Sequence, residues 1–510
     1  MTINRIGSVA VAFGVAAALA ACSNDITNLN ENPNSPVSAP PGALFTQATQ
    51  TSASRWLGTT YNMRGTEFVA QHLAEVQYPD EDRYSRLQGP QTTSTFDRAY
   101  TRELEDLRKV IAAGEAESNA AIYGPALVLR AIDFEYLTDS WGDIPYTQAL
   151  QGDTTTGSLA PSYDTQQSIY TDLFATLRRA STDMASATGA DLGSADPIYG
   201  GNLEQWVKLS NSLRARMAMR IVNKDPNTAE TELAAALSDP GKLIEDNADN
   251  AMVAWPGDGV YDNPWADNFL TRDDHRMSQT LMNILVANSD PRTQVFAQAV
   301  KDSTLYPGGY GGMPNGLNSS DAGTYANTAS KVGKIFYDFT TPSYFMTAAE
   351  VLFIKAEAAE RGMAGLSASQ AQGFYNAAIT ASMEQWGITD PAVISAYLAQ
   401  PNVAYKGGID GQKQIAVQKW IALFGDGGNA WAEWRRTCQP ATIKHGPDAI
   451  VDFVPRRFEY SQTEYSVNGD NVSAALSQMG GGDTFDTRMW WDTNPTAAPT
   501  FETTQTCAGS

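Results

Sequence analysis

The sequence predicts a mainly all-α protein in which tetratricopeptide-like helix pairs carry a loop-rich portion. Two observations predict it. Apolar residues recur at intervals of three or four along most of the chain, while strand-like alternation is rare and brief. Between the helical stretches lie long segments rich in Gly, Asn and aromatic residues, at 254–275, 303–331 and 454–495. Loops of that length inside a compact domain are uncommon and often functional.

The first element is a leader. Arg5 gives a positive start, Ile6 to Ala20 is a run of mostly small apolar residues, and Leu19-Ala20-Ala21 leads into Cys22. This reads as a secretory signal peptide over 1–21, too short for a comfortable membrane span. Leu-Ala-Ala-Cys resembles a bacterial lipobox, in which the cysteine is acylated and becomes the first residue. An ordinary signal peptide with Cys22 a chance thiol is the other reading. Cleavage before Cys22 leaves SNDITNLNENPNSPVSAP, an Asn-, Ser- and Pro-rich spacer, so residues 22–40 are expected to be a lipidated tether. Residues 41–510 are expected to form a single helical domain.

Within that body, LEQWVKLSNSLRARMAMRI places Trp206, Leu209, Leu213, Met217 and Ile221 on one stripe. Arg214, Arg216 and Arg220 lie mostly off it and read as a solvated or locally paired face. In TPSYFMTAAEVLFIKAEAAERG, Thr341 is the predicted cap, Pro342 the first helical residue and Gly362 the C-terminal stop. Its stripe is Phe345, Ala349, Leu352, Ala356 and Ala359. AQGFYNAAITASMEQWG follows after a short loop, with Phe374, Ala377, Ala378, Met383 and Trp386 as apolar members, making a helical hairpin. Its small alanines and a repeat of about 34 residues look like a tetratricopeptide unit. IYGPALVLRAIDFEYLTDSWGDIPYTQAL and IYTDLFATLRRASTDMAS supply further candidates.

The chain of 510 residues has 35 basic and 57 acidic residues, a formal charge of −22. Such a surface repels phosphate backbones, which argues against a nucleic-acid partner. Of the three cysteines, Cys438 and Cys507 remain once Cys22 is lipidated. In an oxidising compartment they form either a disulfide or two unrelated thiols, and spacing does not choose between these.

Catalytic signals are sparse. His72, His275 and His445 are well separated, and no zinc motif, P-loop or nucleophile elbow occurs. Asp139 and Asp143 in TDSWGDIPY, or Asp80, Glu81 and Asp82 in YPDEDRY, are the acid pairs a glycosidase would need. Among so many acids they read as surface and turn caps, Asp143 as a cap in an inter-helix turn. DNADN at 246–250 lacks the calcium-loop glycine and final Glu. No catalytic residue, metal site or cofactor is expected. The loop aromatics carry more information: Tyr78 and Tyr84 bracket the acidic DED, Trp255, Tyr261 and Trp265 lie in AWPGDGVYDNPWADN, and Tyr306 and Tyr310 lie in LYPGGYGGMPNGLN. Flat rings among Asn, Asp and Gly suit sugar faces or an extended peptide; rings that pin loops to the scaffold are the alternative.

Taken in order, NLNENPNSPVSAPPGALF, TDSWGDIPYTQAL, YGGNLEQWVKLSNSLRARMAMRI, SDPR at Asp290, MTAAEVLFIKAEAAERG, QKWIALFGDGGNAWAEWRRT and VPRRFEYSQTE make the chain resemble the SusD/RagB family of nutrient-binding outer-membrane lipoproteins. The resemblance implies four tetratricopeptide-like helix pairs supporting a loop-rich portion. It also implies a non-enzymatic role: capture of oligomeric nutrient, oligosaccharide or oligopeptide, at the cell surface and delivery to a TonB-dependent outer-membrane transporter. The lipid would hold the protein in the outer membrane. No ligand site transfers residue by residue, and Trp141, Gly142, Pro145, Arg435, Arg436, Arg456 and Arg457 read as turns, ion pairs or transporter face. A surface glycoside hydrolase and a tetratricopeptide-like envelope adaptor are the competing readings.

Overall fold

The computed structural model describes residues 39–152 and 157–493. The leader over 1–21, Cys22, all but the end of the tether, and Cys507 lie outside the described residues. The longer helices are α1 (Pro41–Trp56), α2 (Gly89–Ala99), α3 (Glu105–Ala116), α4 (Ala120–Trp141), α5 (Gln166–Ala185) and α6 (Leu203–Ile221). They continue as α7 (Pro226–Leu237), α8 (Ala348–Arg361), α9 (Ala368–Gln385), α10 (Gly408–Ala422), α11 (Gly427–Thr437) and α12 (Gly469–Met479). Short strands β1 (Leu73–Glu75), β2 (Ile144–Pro145), β3 (Tyr163–Asp164), β4 (Ala251–Val253), β5 (His275–Met277) and β6 (Ser343–Met346) pair antiparallel as β1–β5, β2–β3 and β4–β6.

The fold is mainly α-helical, with tetratricopeptide-like pairs α3–α4, α5–α6, α8–α9 and α10–α11 packed in succession. Short connections after α3, α8 and α10 make the joined helices neighbours. Side-chain caps start them: Asn119 accepts from Ala121 N at 3.1 Å, Asn202 from Glu204 N at 3.0 Å, and Ser367 with Gln370 makes a capping box on α9. The α4 helix is central, with α1, α3, α5, α6 and α11 against it. It is buried almost end to end, so its sequence is apolar all round instead of striped. One cluster of buried apolar side chains runs from Phe45 to Trp491.

Several expectations are corrected. Arg214, Arg216 and Arg220 are buried, because the acids that neutralise them come from other elements. Arg214 pairs with Glu232 of α7 at 2.8 Å, and Arg220 donates to Asn429 of α11 at 2.7 Å. Arg216 pairs with Glu135 of α4 at 2.5 Å and donates to the Phe345 carbonyl at 2.9 Å.

The helix predicted from Thr341 begins six residues later. Ser343–Met346 is strand β6, where Phe345 lies, and Thr347 caps α8 through Glu350 N at 3.3 Å. The predicted stop is observed: Gly362 is left-handed, with φ 67°. On α9 the buried face is rotated by about one residue, to Ala371, Tyr375, Ala378, Ile379 and Met383, leaving Ala377 exposed. The segment 454–495, expected to be loop, contains α12. Among the described residues, no helix is long and apolar enough to cross a membrane.

Candidate functional site

The predicted aromatics divide by burial. Tyr84, Trp255 and Trp265 are 1%, 4% and 4% exposed and do not face a ligand. For the two tryptophans the burial comes from distant segments, which take up the indole N–H. Trp255 Nε1 donates to Ser343 Oγ and Trp265 Nε1 to the Leu57 carbonyl, both at 3.0 Å. Tyr84 takes a left-handed φ of 78° that turns its ring into the core. Trp265 does line a cavity with Phe336, Trp386 and Phe424, but at about 50 Å³ it has no room for a sugar ring. Tyr306 and Tyr310 are half-buried; the Tyr306 hydroxyl donates to the Gly312 carbonyl and its ring fills the space over Gly311. Tyr78 and Tyr261 remain at the surface, 49% and 36% exposed.

Tyr78 stands at the best-organised part of that surface. It caps the short helix Pro79–Asp82 directly after β1, and β1 pairs with β5, which closes the segment 264–277. The pairing brings the Arg272 guanidinium over the Tyr78 ring, 4.5 Å from its centroid. Arg272 donates through Nε to Asp274 at 2.6 Å, and Asp274 accepts from His275 Nδ1 at 3.0 Å. Beside them Phe269 stacks on Tyr337 with centroids 4.1 Å apart, and Leu270 is 66% exposed. An exposed ring held by a cation, next to a half-buried aromatic pair, offers flat apolar faces with charged hydrogen-bond donors at their edge. That is the chemistry of a sugar or an extended chain with polar substituents.

The support beneath is polar and buried. Asn315 donates from Nδ2 to the Leu73 carbonyl and to Asp82 Oδ1, both at 2.7 Å, and accepts from Ser278 Oγ at 2.6 Å. It thereby joins the loop 303–331 to β1 and to the residue after β5. Glu75 Oε1 accepts from the backbone of Gln77 and Tyr78 at 3.0 and 3.2 Å, fixing the turn that presents Tyr78.

Among the described residues, Glu75, Asp274 and His275 bring possible metal-ligand atoms within 4.8 Å of one another. His275 Nε2 faces Glu75 Oε2 at 3.8 Å, while its Nδ1 is taken by Asp274. Arg272 pairs with Asp274 on the same segment, while Glu75 Oε2 of β1 and His275 Nε2 of β5 are buried without a hydrogen-bond partner among the described residues.

The suspected acid pairs are structural. Asp139 accepts from Tyr170 OH at 2.6 Å and Trp491 Nε1 at 2.7 Å. Asp143 accepts from Gln166 N at 2.8 Å, so it caps the start of α5 instead of its own turn. Glu81 is held by Arg64 and Arg86. Burial pushes the Asp82 carboxyl up to about 7, and Asp143 and Asp426 to about 6.

These three groups hold protons in the folded chain that an unfolded carboxyl, near 3.9, releases. Their contribution to stability therefore falls as pH rises from about 4 to 7. Two carboxylates act oppositely. Burial works against Glu357 and Asp274, but Arg436 and Arg361 on the first, and His275 and Arg272 on the second, hold both below the usual range. Their stabilisation is lost in acid, below about pH 4. The melting temperature is expected to rise by several degrees from pH 8 to about pH 4.5, then fall. Asp82→Asn should flatten the first limb; a melting temperature that drops steadily from pH 8 downward would refute the assignment.

Of the aromatics the sequence singles out, Tyr78 is the most exposed; Arg272, Phe269 and Tyr337 beside it are not among the residues the sequence suggested. FLTRDDHR, with charges crowded between apolar residues in a long loop, was the available signal for the first two. Cys438 is buried just after α11; Cys507, its possible disulfide partner, lies outside the described residues. Trp141, Arg435, Arg436, Arg456 and Arg457 are all buried, as befits structural residues.

Comparison with known proteins places this architecture. A family model described as SusD-like, starch-binding and associating with the outer membrane, matches residues 33–461. Among solved structures, one described as a chitin-binding protein is 26% identical, with TM-score 0.77, covering 89% of this chain and 100% of the other. A chitin-binding SusD homologue from Flavobacterium johnsoniae is 25% identical, with TM-score 0.76 and coverage of 90% and 99%. A SusD homologue from Bacteroides vulgatus shares the fold at 24% identity, with TM-score 0.77 and coverage of 89% and 97%. A comparison with curated proteins returns no match. With most of its length matched by the family model and the fold shared throughout, the chain belongs to the SusD-like family.

Proposed function

We propose that the protein is a lipid-anchored, surface-exposed outer-membrane receptor that binds an oligosaccharide and hands it to a TonB-dependent transporter, without cleaving it. The observation that carries the reading is the family match over 33–461, joined to two structural relatives described as chitin-binding. The surface around Tyr78, Arg272, Phe269 and Tyr337 is the proposed ligand face, with Tyr261, Tyr306 and Tyr310 as outlying candidates. The lipid on Cys22 would keep the receptor near its transporter, raising the effective concentration of one for the other. A disulfide between Cys438 and Cys507 would tie the C-terminal tail to α11.

The test is calorimetric titration of residues 23–510 with chitin oligomers, maltooligosaccharides and peptides, each mixture then assayed for cleavage. Saturable binding of an oligosaccharide without new reducing ends is expected. Tyr78→Ala should weaken it about tenfold, the scale of one lost aromatic–sugar contact, with no change in melting temperature. Binding of peptides alone, or cleavage of the sugar, would overturn the reading.

A further inference from the structure

On a chain with 57 acidic residues, one depression is lined by arginine and no carboxylate. Its volume is about 340 Å³, and beside Arg55, Arg98 and Arg102 every lining residue is a serine or threonine, Thr60 and Ser94 among them. That is the small end of the range for small-molecule sites.

The three arginines differ. Arg55 is spent on buried Glu103, bonded through Nη2 at 2.8 Å. Arg98 and Arg102 are exposed and make no hydrogen bond or ion pair among the described residues. Asp97 accepts from Ser461 Oγ at 2.7 Å and Glu105 pairs with Arg108 at 2.8 Å; only Asp106 lies within electrostatic reach of Arg102. Two like charges four residues apart on one helical run repel each other, a cost that Asp106 beside Arg102 offsets only in part.

The backbone supplies a second, separate observation. Arg102 lies on a π-helical stretch, Tyr100–Leu104, inserted between α2 and α3. Thr60 lies on another, Thr59–Thr66. Such stretches are rare, are less favourable than α-helix, and concentrate at functional sites. Here two of them border one pocket.

We propose that this depression is a second binding site, taking a sugar unit that bears an oxyanion, a uronate carboxylate or a sulfate ester. The guanidinium groups of Arg98 and Arg102 match such groups with paired donors, and the surrounding hydroxyls both donate to and accept from sugar hydroxyls. No aromatic ring lines it, so it offers no stacking face for a neutral sugar. Its lining shares no residue with the Tyr78 surface, and the proposal does not rest on that surface.

The experiment titrates residues 23–510 with glucuronate, sodium sulfate and glucose, and repeats the series with Arg98→Gln/Arg102→Gln. Both positions are exposed, so the variant is expected to keep its melting temperature. Saturable, salt-sensitive binding of the anions but not glucose is expected, weakened about tenfold or more in the double variant. Glucuronate binding more tightly than sulfate identifies a uronate, and the reverse order a sulfate ester. Equal affinity in the double variant, or no saturation by either anion at millimolar concentration, overturns the proposal. Chitin-oligomer affinity is measured on the same variant and should stay at the wild-type value, so the two sites fail separately.

Discussion

Arg216→Ala is expected to cost about 3–5 kcal/mol, a large part of the roughly 5–15 kcal/mol that holds a domain folded. Arg216 is 1% exposed and lies where three helices meet. It contacts Glu135 of α4 at 2.5 Å and Glu350 of α8 at 3.4 Å from its own place on α6, and it also satisfies the Phe345 carbonyl of β6. Truncation leaves two carboxylates 2–3% exposed with their main counter-charge gone. The cost is the penalty of stranding them, not the worth of the pair. Arg216→Met combined with Glu135→Leu should therefore recover part of the loss, since it removes one of the two stranded carboxylates and leaves Glu350 with Lys419 at 3.9 Å. Urea unfolding of the three proteins checks this. A loss below about 1 kcal/mol for Arg216→Ala would mean the pair is screened as a surface bridge is.

Replacing residues 1–22 with an ordinary cleavable signal peptide is expected to move the protein from the membrane fraction to the soluble one. Among the described residues no helix is long and apolar enough to cross a membrane. At −22 the chain has no electrostatic affinity for anionic headgroups either. Two acyl chains suffice for stable anchoring where one does not, so the lipid on Cys22 is proposed to do all the work. Intact mass of the natural protein, extracted from membranes, should show acyl groups on Cys22. An unmodified N-terminus there, or a body that stays in the membrane pellet without its leader, would overturn the assignment.

Helix identity was legible from apolar periodicity, as in α6 and α9, although on α9 the buried face lies about one residue from the predicted one. The misplacements share a cause. At Thr341 and Pro342 the local signals for a helix start are genuine, yet β4 supplies a partner for Ser343–Met346, and the ladder wins over the nearby cap. In α6 the arginines looked solvated because their counter-charges, Glu135 and Glu232, lie about 80 and 20 residues away in the sequence.

The site shows the same limit. Loop position gave seven aromatics equal standing, but a ring is free for ligand only if no distant element buries it. Leu57 and Ser343 decide that for Trp265 and Trp255. By itself, then, the sequence determined the helical class and the family, because these depend on residue type and on spacing within one segment. Which aromatics face outward, what holds Tyr78 beside Arg272, and which arginines are buried were decided only by the tertiary structure. Each of those depends on contacts between segments far apart in the chain, and burial and ion pairing are properties of the assembled neighbours, not of the residue.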